Sequence, residues 1–320
     1  MRVSLIILNY NSSGYTLDCV ASIRRHTRMA ETEIIVVDNG SREDDFEALH
    51  SLNGLPSVRL VRSRLNLGFS GGHSFGLQFT DPSSAYYFFL NNDCLLLDDV
   101  CTRLYAYMEA HRNVGVCTAQ AINRADQPEP SFGYFPRLSA KLLGHAVVRK
   151  LRPAHYPPRK DAYREPVPVP VVTGSAMFVR ATAFWQVGGF DPAYFLFCEE
   201  EDICRRLNRA GWSAVLVPDV RFRHIGGGST NRNLLIEKEY YLSLFYYFRK
   251  YESNPTRLAL QLFYLVKVGR KSVGNRRYRE LVWFLLRGAP VRESLRYQQG
   301  LAVIARNLLK KSHAITFETV

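Results

Sequence analysis

The stretch RVSLIILNYNSSGYTLDCVASIRRHT, residues 2–27, opens with branched apolar side chains, breaks at a polar Asn-Tyr-Asn-Ser-Ser run and resumes with apolar residues at helical spacing. It reads as a buried strand, RVSLIIL (2–8), followed by a helix. The alternation then repeats. EIIVVDNGS (33–41) is a second strand, EDDFEALHSL a second helix, VRLVRS (58–63) a third strand, GGHSFGLQFT the start of a third helix, and YYFFLNND (86–93) a fourth strand. Short strands separated by helices of this length imply an α/β fold on a mostly parallel sheet with helices on both faces. Ligands of such sheets sit at the carboxyl ends of the strands, where the winding changes direction.

The residues at those ends are polar throughout. Asn9 and Asn11 follow the first strand, Asp38, Asn39, Gly40 and Ser41 the second, Asn66 and Gly68 the third, and Asn91, Asn92 and Asp93 the fourth. Turn chemistry favours Asn, Asp and Gly at any one of these positions. Four successive ends of this kind point to a shared ligand. Asp93 leaves its strand with Asn91 two residues earlier on the same side. Alone the pair is a weak site for a hard cation, but it suits Mg2+ or Mn2+ held mostly by a diphosphate and water. NLGFSGGHSFG (66–76), which contains Gly71, is glycine-rich between a strand and a helix, so backbone and helix N-terminus can approach a phosphate closely. It is neither the dinucleotide GxGxxG nor a P-loop.

A chain of 320 residues, 47% hydrophobic and 22% charged, is neither disordered nor fibrous. Its six cysteines show no C-x-x-C spacing, which argues against zinc sites and a disulfide framework and fits a reducing cytosol. The first apolar run is too short for a secretory signal, and no window reaches the roughly 20 apolar residues of a membrane span. The expected location is cytoplasmic, soluble or peripheral on a membrane.

Residues 124–170 hold nine of the fifteen prolines and read as a long irregular crossing, a functional loop or lid. VVTGSAMFVR then reads as a strand, ATAFWQVGGF as a short helix, and SAVLVPDVRFRHIGGGST as a strand pair ending at His224. From residue 233 the pattern is helical, with LLIEKEYYLSLFYYFRKY, RLALQLFYLVKVG, RELVWFLLRG and LAVIARNLLKK as candidate elements.

FLFCEEEDICRRLNRAGW (195–212) places four acids at the start of a helix. Spacing at i,i+4 pairs Glu201 with Arg205 and Asp202 with Arg206. Glu199 and Glu200 instead face Ile203 and Cys204, with no cation one turn on. First-turn acids complement the helix dipole. A carboxylate behind the aromatic YFLF is also placed for the partial desolvation that turns it into a general base.

Taken together, LNYN, VVDNGS, NLGFSGGHSFG, LNND, GSAMFVRATAFWQVGGFD, YFLFCEEEDICRRLNRAGW and HIGGGS resemble, in order, the family-two inverting glycosyltransferases of the GT-A fold, particularly the bacterial rhamnosyltransferase-like branch. The resemblance implies a Rossmann-like GT-A catalytic domain over 1–229, its nucleotide-sugar half about 1–123 and its acceptor half about 124–229, with a C-terminal helical extension over 230–320. It implies donor binding by Asn9, Asn11, Asp38, Asn39, Gly40, Asn66, Gly68, Gly71, Asn91 and Asn92. It implies a divalent metal, Mg2+ or Mn2+, at Asp93 and His224, and a catalytic base at Glu199 or Glu200. Gly174, Ser175 and Phe195 fall on the acceptor wall. Asn91 stands for the first Asp of the family's metal motif, His73 for a frequent Asn, and Glu200 for the usual Asp.

The implied reaction is a single displacement that moves a sugar, rhamnose from its thymidine diphosphate as the leading donor, to a hydroxyl of a saccharide or lipid-linked saccharide in cell-envelope polysaccharide synthesis. The formal net charge of +13 is concentrated after Thr230, where 17 Lys and Arg face 6 Asp and Glu. Tyr240, Tyr241, Phe245, Tyr246, Tyr247 and Phe248 beside Arg249 and Lys250 could meet an anionic membrane or simply pack on the catalytic domain. Two other readings stay open, a basic polyanion binder and a catalytically weak nucleotide-sugar binder. No nucleic-acid module is visible, and homo-oligomerisation is left open.

Overall fold

A computed structural model describes residues 2–29, 31–226 and 233–300. In chain order the elements are β1 (Arg2–Asn9), α1 (Ser13–His26), β2 (Thr32–Asn39), α2 (Glu43–Ala48), β3 (Val58–Ser63), α3 (Gly68–Leu77), β4 (Ser84–Asn91), β5 (Cys94–Leu96), α4 (Val100–Ala110) and β6 (Val114–Ile122). There follow β7 (Phe132–Gly133), α5 (Leu138–Leu143), α6 (His145–Leu151), β8 (Val167–Pro168), β9 (Val171–Val172), β10 (Ala176–Arg180) and α7 (Ala181–Gln186). The chain continues through α8 (Glu199–Arg209), β11 (Ser213–His224), α9 (Leu234–Tyr251), α10 (Asn254–Ser272) and α11 (Arg276–Leu286). The expected helix at 301–311 and the glycines after Gly226 lie outside the described residues.

The main sheet runs β3-β2-β1-β4-β10-β6-β11-β5, with β8 against β11. β1 to β4 are mutually parallel, as the βα alternation implies, and β6 is parallel to β11. β10 runs antiparallel between β4 and β6, and β5 antiparallel to β11. One apolar layer, with Leu5, Ile7, Val36, Phe88 and Leu104, lies on one face of the sheet, and a second, with Ile6, Ile35, Phe89, Phe184 and Ile203, lies on the other. This alternation along each strand is the two-residue period of a sheet covered on both faces.

Four expectations are corrected. VVTGSAMFVR is broken into β9 and β10 around Gly174. The segment from Ser213 to His224 is one strand, not a pair; its register with β6 shifts between Val217 and Arg221, where Pro218 has no N–H for the ladder. The proline-rich crossing is partly ordered, because Ala140, Val148 and Tyr156 give α5 and α6 a small core. And α9 turns only part of its aromatic set inward, leaving Tyr240, Tyr241, Phe245 and Tyr246 half-buried. Tyr247 and Phe248 are buried, Tyr246 donates to Asp191, and Lys141 donates to the Tyr240 hydroxyl at 3.0 Å.

α9, α10 and α11 share a third core with Tyr194 and Cys198, the residues leading into α8. Inside that contact lies Asp202, which is fully buried. It accepts from Arg206 Nε at 2.7 Å and from the Tyr251 hydroxyl at 2.7 Å, and Lys250 Nζ is 2.7 Å away. The Asp202–Arg206 pair is therefore as the i,i+4 spacing suggests. The Glu201–Arg205 pair does not form; Arg205 turns to the Tyr247 hydroxyl at 3.0 Å and Glu252 at 3.5 Å, since α9 lies within reach on that side.

Removing one partner of a buried ion pair leaves uncompensated charge, at a cost of roughly 3–5 kcal/mol. Asp202→Ala is expected to lower unfolding stability by about that amount in urea denaturation; an unchanged midpoint would show that α8 does not depend on this carboxylate.

Candidate active site

The four strand ends converge. Asn9, fully buried at the end of β1, donates through Nδ2 to Asp45 at 2.7 Å, Ser41 at 3.1 Å and Asp38 at 3.2 Å, and accepts from the Thr16 hydroxyl at 2.7 Å. Asn11 receives its backbone positive φ of 51° from the turn and ties the first loop to the second, its N–H reaching Ser41 Oγ and its Oδ1 accepting from Arg42. Asp38 is fully buried and paired with Arg62 at 3.2 Å. Asn92 donates to Ser12 Oγ at 2.8 Å and Thr16 Oγ1 at 2.9 Å, fastening the end of β4 to the start of α1.

Asn39 organises the glycine-rich loop. Its Nδ2 donates to Asn66 Oδ1 and to the Gly68 carbonyl, both at 3.1 Å, and its Oδ1 accepts from Leu67 N–H at 2.9 Å. Two glycines are required by close approach. A Cβ at Gly40 (φ +80°) would lie 2.6 Å from the Leu65 carbonyl carbon, and one at Gly68 (φ +72°) only 2.1 Å from the Phe195 carbonyl oxygen. Through the latter contact, and a hydrogen bond of 2.7 Å from Phe69 N–H to the same oxygen, the loop after β3 abuts the segment before α8.

Between them is a cavity of about 390 Å3, lined by Asn39, Asn66, Gly68, Asn91, Asn92, Asp93 and Phe195 among the expected residues. Asn9, Asn11, Asp38, Gly40, Gly71, Gly174 and Ser175 do not line it. Gly71 borders a smaller neighbouring cavity of about 240 Å3. The first four hold the loops from behind. Ser175 does so from the sheet, its carbonyl accepting from Asn91 N–H at 2.9 Å. His73 is buried among Phe69, Phe89 and Phe190, and burial pushes it down to about 3, so it is a neutral ring of the core rather than a contact in the cavity.

His224 does not line the cavity, but its Nε2 stands 3.4 Å from Oδ1 of the lining residue Asp93, brought there by the β5–β11 pairing of His224 with Cys94. That oxygen is buried and has no hydrogen-bond partner among the described residues. Pairing with Asp93 holds the His224 imidazole above its usual value against desolvation. Asp93, Cys94 and His224 present ligand atoms within 4.8 Å of one another. The oxygen and imidazole donors fit a hard divalent ion. Cys94 does not: its thiol donates to the Ser175 carbonyl at 3.4 Å, and burial raises it well above the ordinary thiol value.

The acids of α8 separate by environment. Glu200 is half-buried and lies beside Gly174, where a Cβ would be 3.7 Å from its Oε1 and 3.1 Å from the Phe69 ring. Phe69 lines the cavity, whereas Glu200 itself does not. Burial raises Glu200, partly opposed by backbone N–H groups including that of Gly174. Glu199 is buried with Oε2 lacking a partner among the described residues, and burial and the Glu200 charge raise it further. Glu201 is raised too, by burial and then by Glu200.

The sequence does not single out Tyr10, Asn233, Ile236, Leu295 or Gln299, which also line the cavity. Gln299 accepts from Asn66 N–H at 3.1 Å, across 233 positions of sequence. No local motif announces a contact of that range.

The family model described as Glycosyl transferase family 2 matches residues 4–188. Over 95 residues the chain is 42% identical to an N-acetylglucosaminyl-diphospho-decaprenol L-rhamnosyltransferase of Mycobacterium tuberculosis, covering 28% of this chain and 30% of that protein. It is 31% identical over 135 residues to the rhamnosyltransferase WbbL of Escherichia coli, covering 42% and 49%. The matches thus span half or less of these two relatives. A crystal structure of GalNAc-T7 with UDP, GalNAc and Mn2+ superimposes with a TM-score of 0.57 at 18% identity over 78% of this chain and 48% of that one. The fold is α/β GT-A with additional C-terminal helices.

Proposed function

Because the chain belongs to glycosyl transferase family 2, we propose that it is an inverting transferase that moves rhamnose from thymidine-diphosphate rhamnose to a hydroxyl of a saccharide or lipid-linked saccharide in cell-envelope polysaccharide synthesis. The rhamnosyltransferase names of two relatives support the donor, and the diphospho-decaprenol name of one supports a lipid-linked acceptor. The observation that carries the reading is the cavity at the strand ends, with Asp93 in its wall and His224 3.4 Å from that carboxylate.

In this reading the 390 Å3 cavity takes the nucleotide sugar. Asn39 and Asn66 fix the loop that walls it, and Gly68 lets that loop approach the chain at Phe195. Asp93 and His224 would hold Mg2+ or Mn2+, which when bound supplies positive charge opposite the departing diphosphate. Glu200, with its proton affinity raised by burial, takes the proton of the acceptor hydroxyl as that oxygen attacks the anomeric carbon. Orientation by the walls supplies much of the remaining acceleration. Glu199, more deeply buried, supports the start of α8 rather than reaching the acceptor.

The proposed membrane contact lies on α10 and α11. Leu258, Leu262 and Val266, spaced by one helical turn, are 58%, 53% and 56% exposed, and Trp283 on α11 is 66% exposed. From Asn254 to Leu286 there are seven Lys and Arg against one Glu. An apolar stripe with basic flanks suits the surface of an anionic bilayer. Among the described residues no helix is long and apolar enough to cross one.

A raised carboxylate is protonated, and inactive as a base, below its shifted value. The rate should therefore rise with pH through a limb lying above the ordinary carboxylate range of about 4.3, and Glu200→Gln should lower kcat by about 100-fold or more and remove that limb. Asp93→Ala should abolish metal-dependent donor turnover with circular dichroism unchanged. Full activity in either variant contradicts its assignment. In vesicle flotation, Leu262→Asp with Val266→Asp should release the protein from phosphatidylglycerol vesicles; undiminished flotation would place the contact elsewhere.

A further inference from the structure

A second cavity, of about 540 Å3, opens between α9, α10 and the segment 288–296. Its volume is in the range of small-molecule sites. Leu242, Phe245, Phe248 and Leu260 supply apolar lining, while Arg249, Arg257 and Arg296 supply positive charge. None of the three arginines is within ion-pair distance of a carboxylate among the described residues. Arg249 lies over the Tyr246 ring, Arg257 donates to Asn254 Oδ1, and Arg296 donates to the Tyr194 carbonyl at 3.2 Å. Glu239 also lines the cavity, but its carboxylate is occupied by the Ser294 hydroxyl at 3.2 Å and Leu295 N–H at 3.0 Å.

The cavity shares walls with the donor cavity. Ala193, Ser294 and Arg296 face the first, while Phe195, Leu196 and Leu295 face the second. Arg296 also stands 5.8 Å above the Phe195 ring. At the opposite side, Leu258 and Val291 line the cavity and are 58% and 67% exposed. Leu258 begins the exposed stripe of α10. A ligand seated here would meet the Arg296 guanidinium on the side of the strand-end cavity and further guanidinium and apolar groups along the remaining wall.

We propose that this cavity binds an amphiphilic anion, a phosphate group joined to a hydrocarbon chain, with the phosphate on Arg249, Arg257 and Arg296 and the first part of the chain on Leu242, Phe245 and Leu258. Planar guanidinium forks suit phosphate oxygens, and the apolar lining accounts for the chain. The inference rests on the lipid-linked acceptor reading for its place beside the donor cavity, because the phosphate end of such an acceptor must lie close to the sugar that receives transfer. A phospholipid of the bilayer carries the same chemistry and is the other source.

The test is calorimetric titration of the full chain with farnesyl diphosphate, inorganic diphosphate and submicellar dihexanoyl phosphatidylglycerol. Farnesyl diphosphate should bind one to one and at least about tenfold more tightly than inorganic diphosphate. Arg249→Gln with Arg257→Gln should weaken it about 100-fold, and Arg257→Lys should recover part of the loss. Melting temperature and binding of thymidine diphosphate with Mn2+ serve as the check that these variants are folded. Equal affinity of the double variant and the wild type, or of farnesyl and inorganic diphosphate, overturns the proposal. Competition by the phosphatidylglycerol supports the site and assigns it to bilayer lipid; lack of competition supports it as an acceptor site. Farnesyl diphosphate binding without any donor turnover would keep the site and remove the transferase reading, and the reverse result would do the opposite.

Discussion

The buried carboxylate of Asp202 is the interaction on which the site depends. It sits in the first turn of α8 and gathers Arg206 from its own helix with Tyr251 and Lys250 from α9. Just before it, Phe197 and Cys198 adopt φ of 73° and 65°, a left-handed conformation that costs non-glycine residues about 1–3 kcal/mol each. Such a turn persists only where its surroundings over-determine it. Here Ser243 holds the Leu196 carbonyl at 2.7 Å, Cys198 is buried among the C-terminal helices, and Phe195 holds the glycine-rich loop. The strained turn fixes where α8 begins, and the helical period then points Glu199, Glu200 and Glu201 in different directions.

The C-terminal helices are accordingly packed into the same structure as α8. Their inner faces build the core under α8, and their last described residues reach back to the donor loop through Gln299. Residues of α10 and α11 carry the exposed apolar stripe, and from Asn254 to Leu286 seven Lys and Arg stand against one Glu. One region thus packs under α8, closes part of the strand-end cavity and carries an exposed apolar stripe.

Much of this was legible in the sequence because the relevant signals are local. The βα alternation announces β1 to β4 and the polar strand ends that converge, and the i,i+4 rule finds the Asp202–Arg206 pair. What escaped depends on distant partners. Arg205 could not be known to prefer Tyr247 and Glu252 over Glu201, because α9 is 40 residues on. The aromatic residues of α9 look alike in sequence whether they face lipid or Tyr194, and only packing shows that Tyr247 and Phe248 face inward. Likewise His73 belongs to the glycine-rich segment that reads as ligand-binding and is instead a core ring on α3. Helix geometry leaves the choice between Glu199 and Glu200 open; the structure adds that Glu199 is buried and Glu200 half-buried near Gly174.

The central claim is that a single carboxylate on α8 activates the acceptor for direct attack on a sugar held across the strand ends. Its most direct test is proton NMR of the anomeric centre during turnover of thymidine-diphosphate rhamnose with a short-chain lipid-linked N-acetylglucosamine acceptor. The account expects a product whose anomeric configuration is opposite to that of the donor from its first appearance. A product that retains the donor configuration would contradict it.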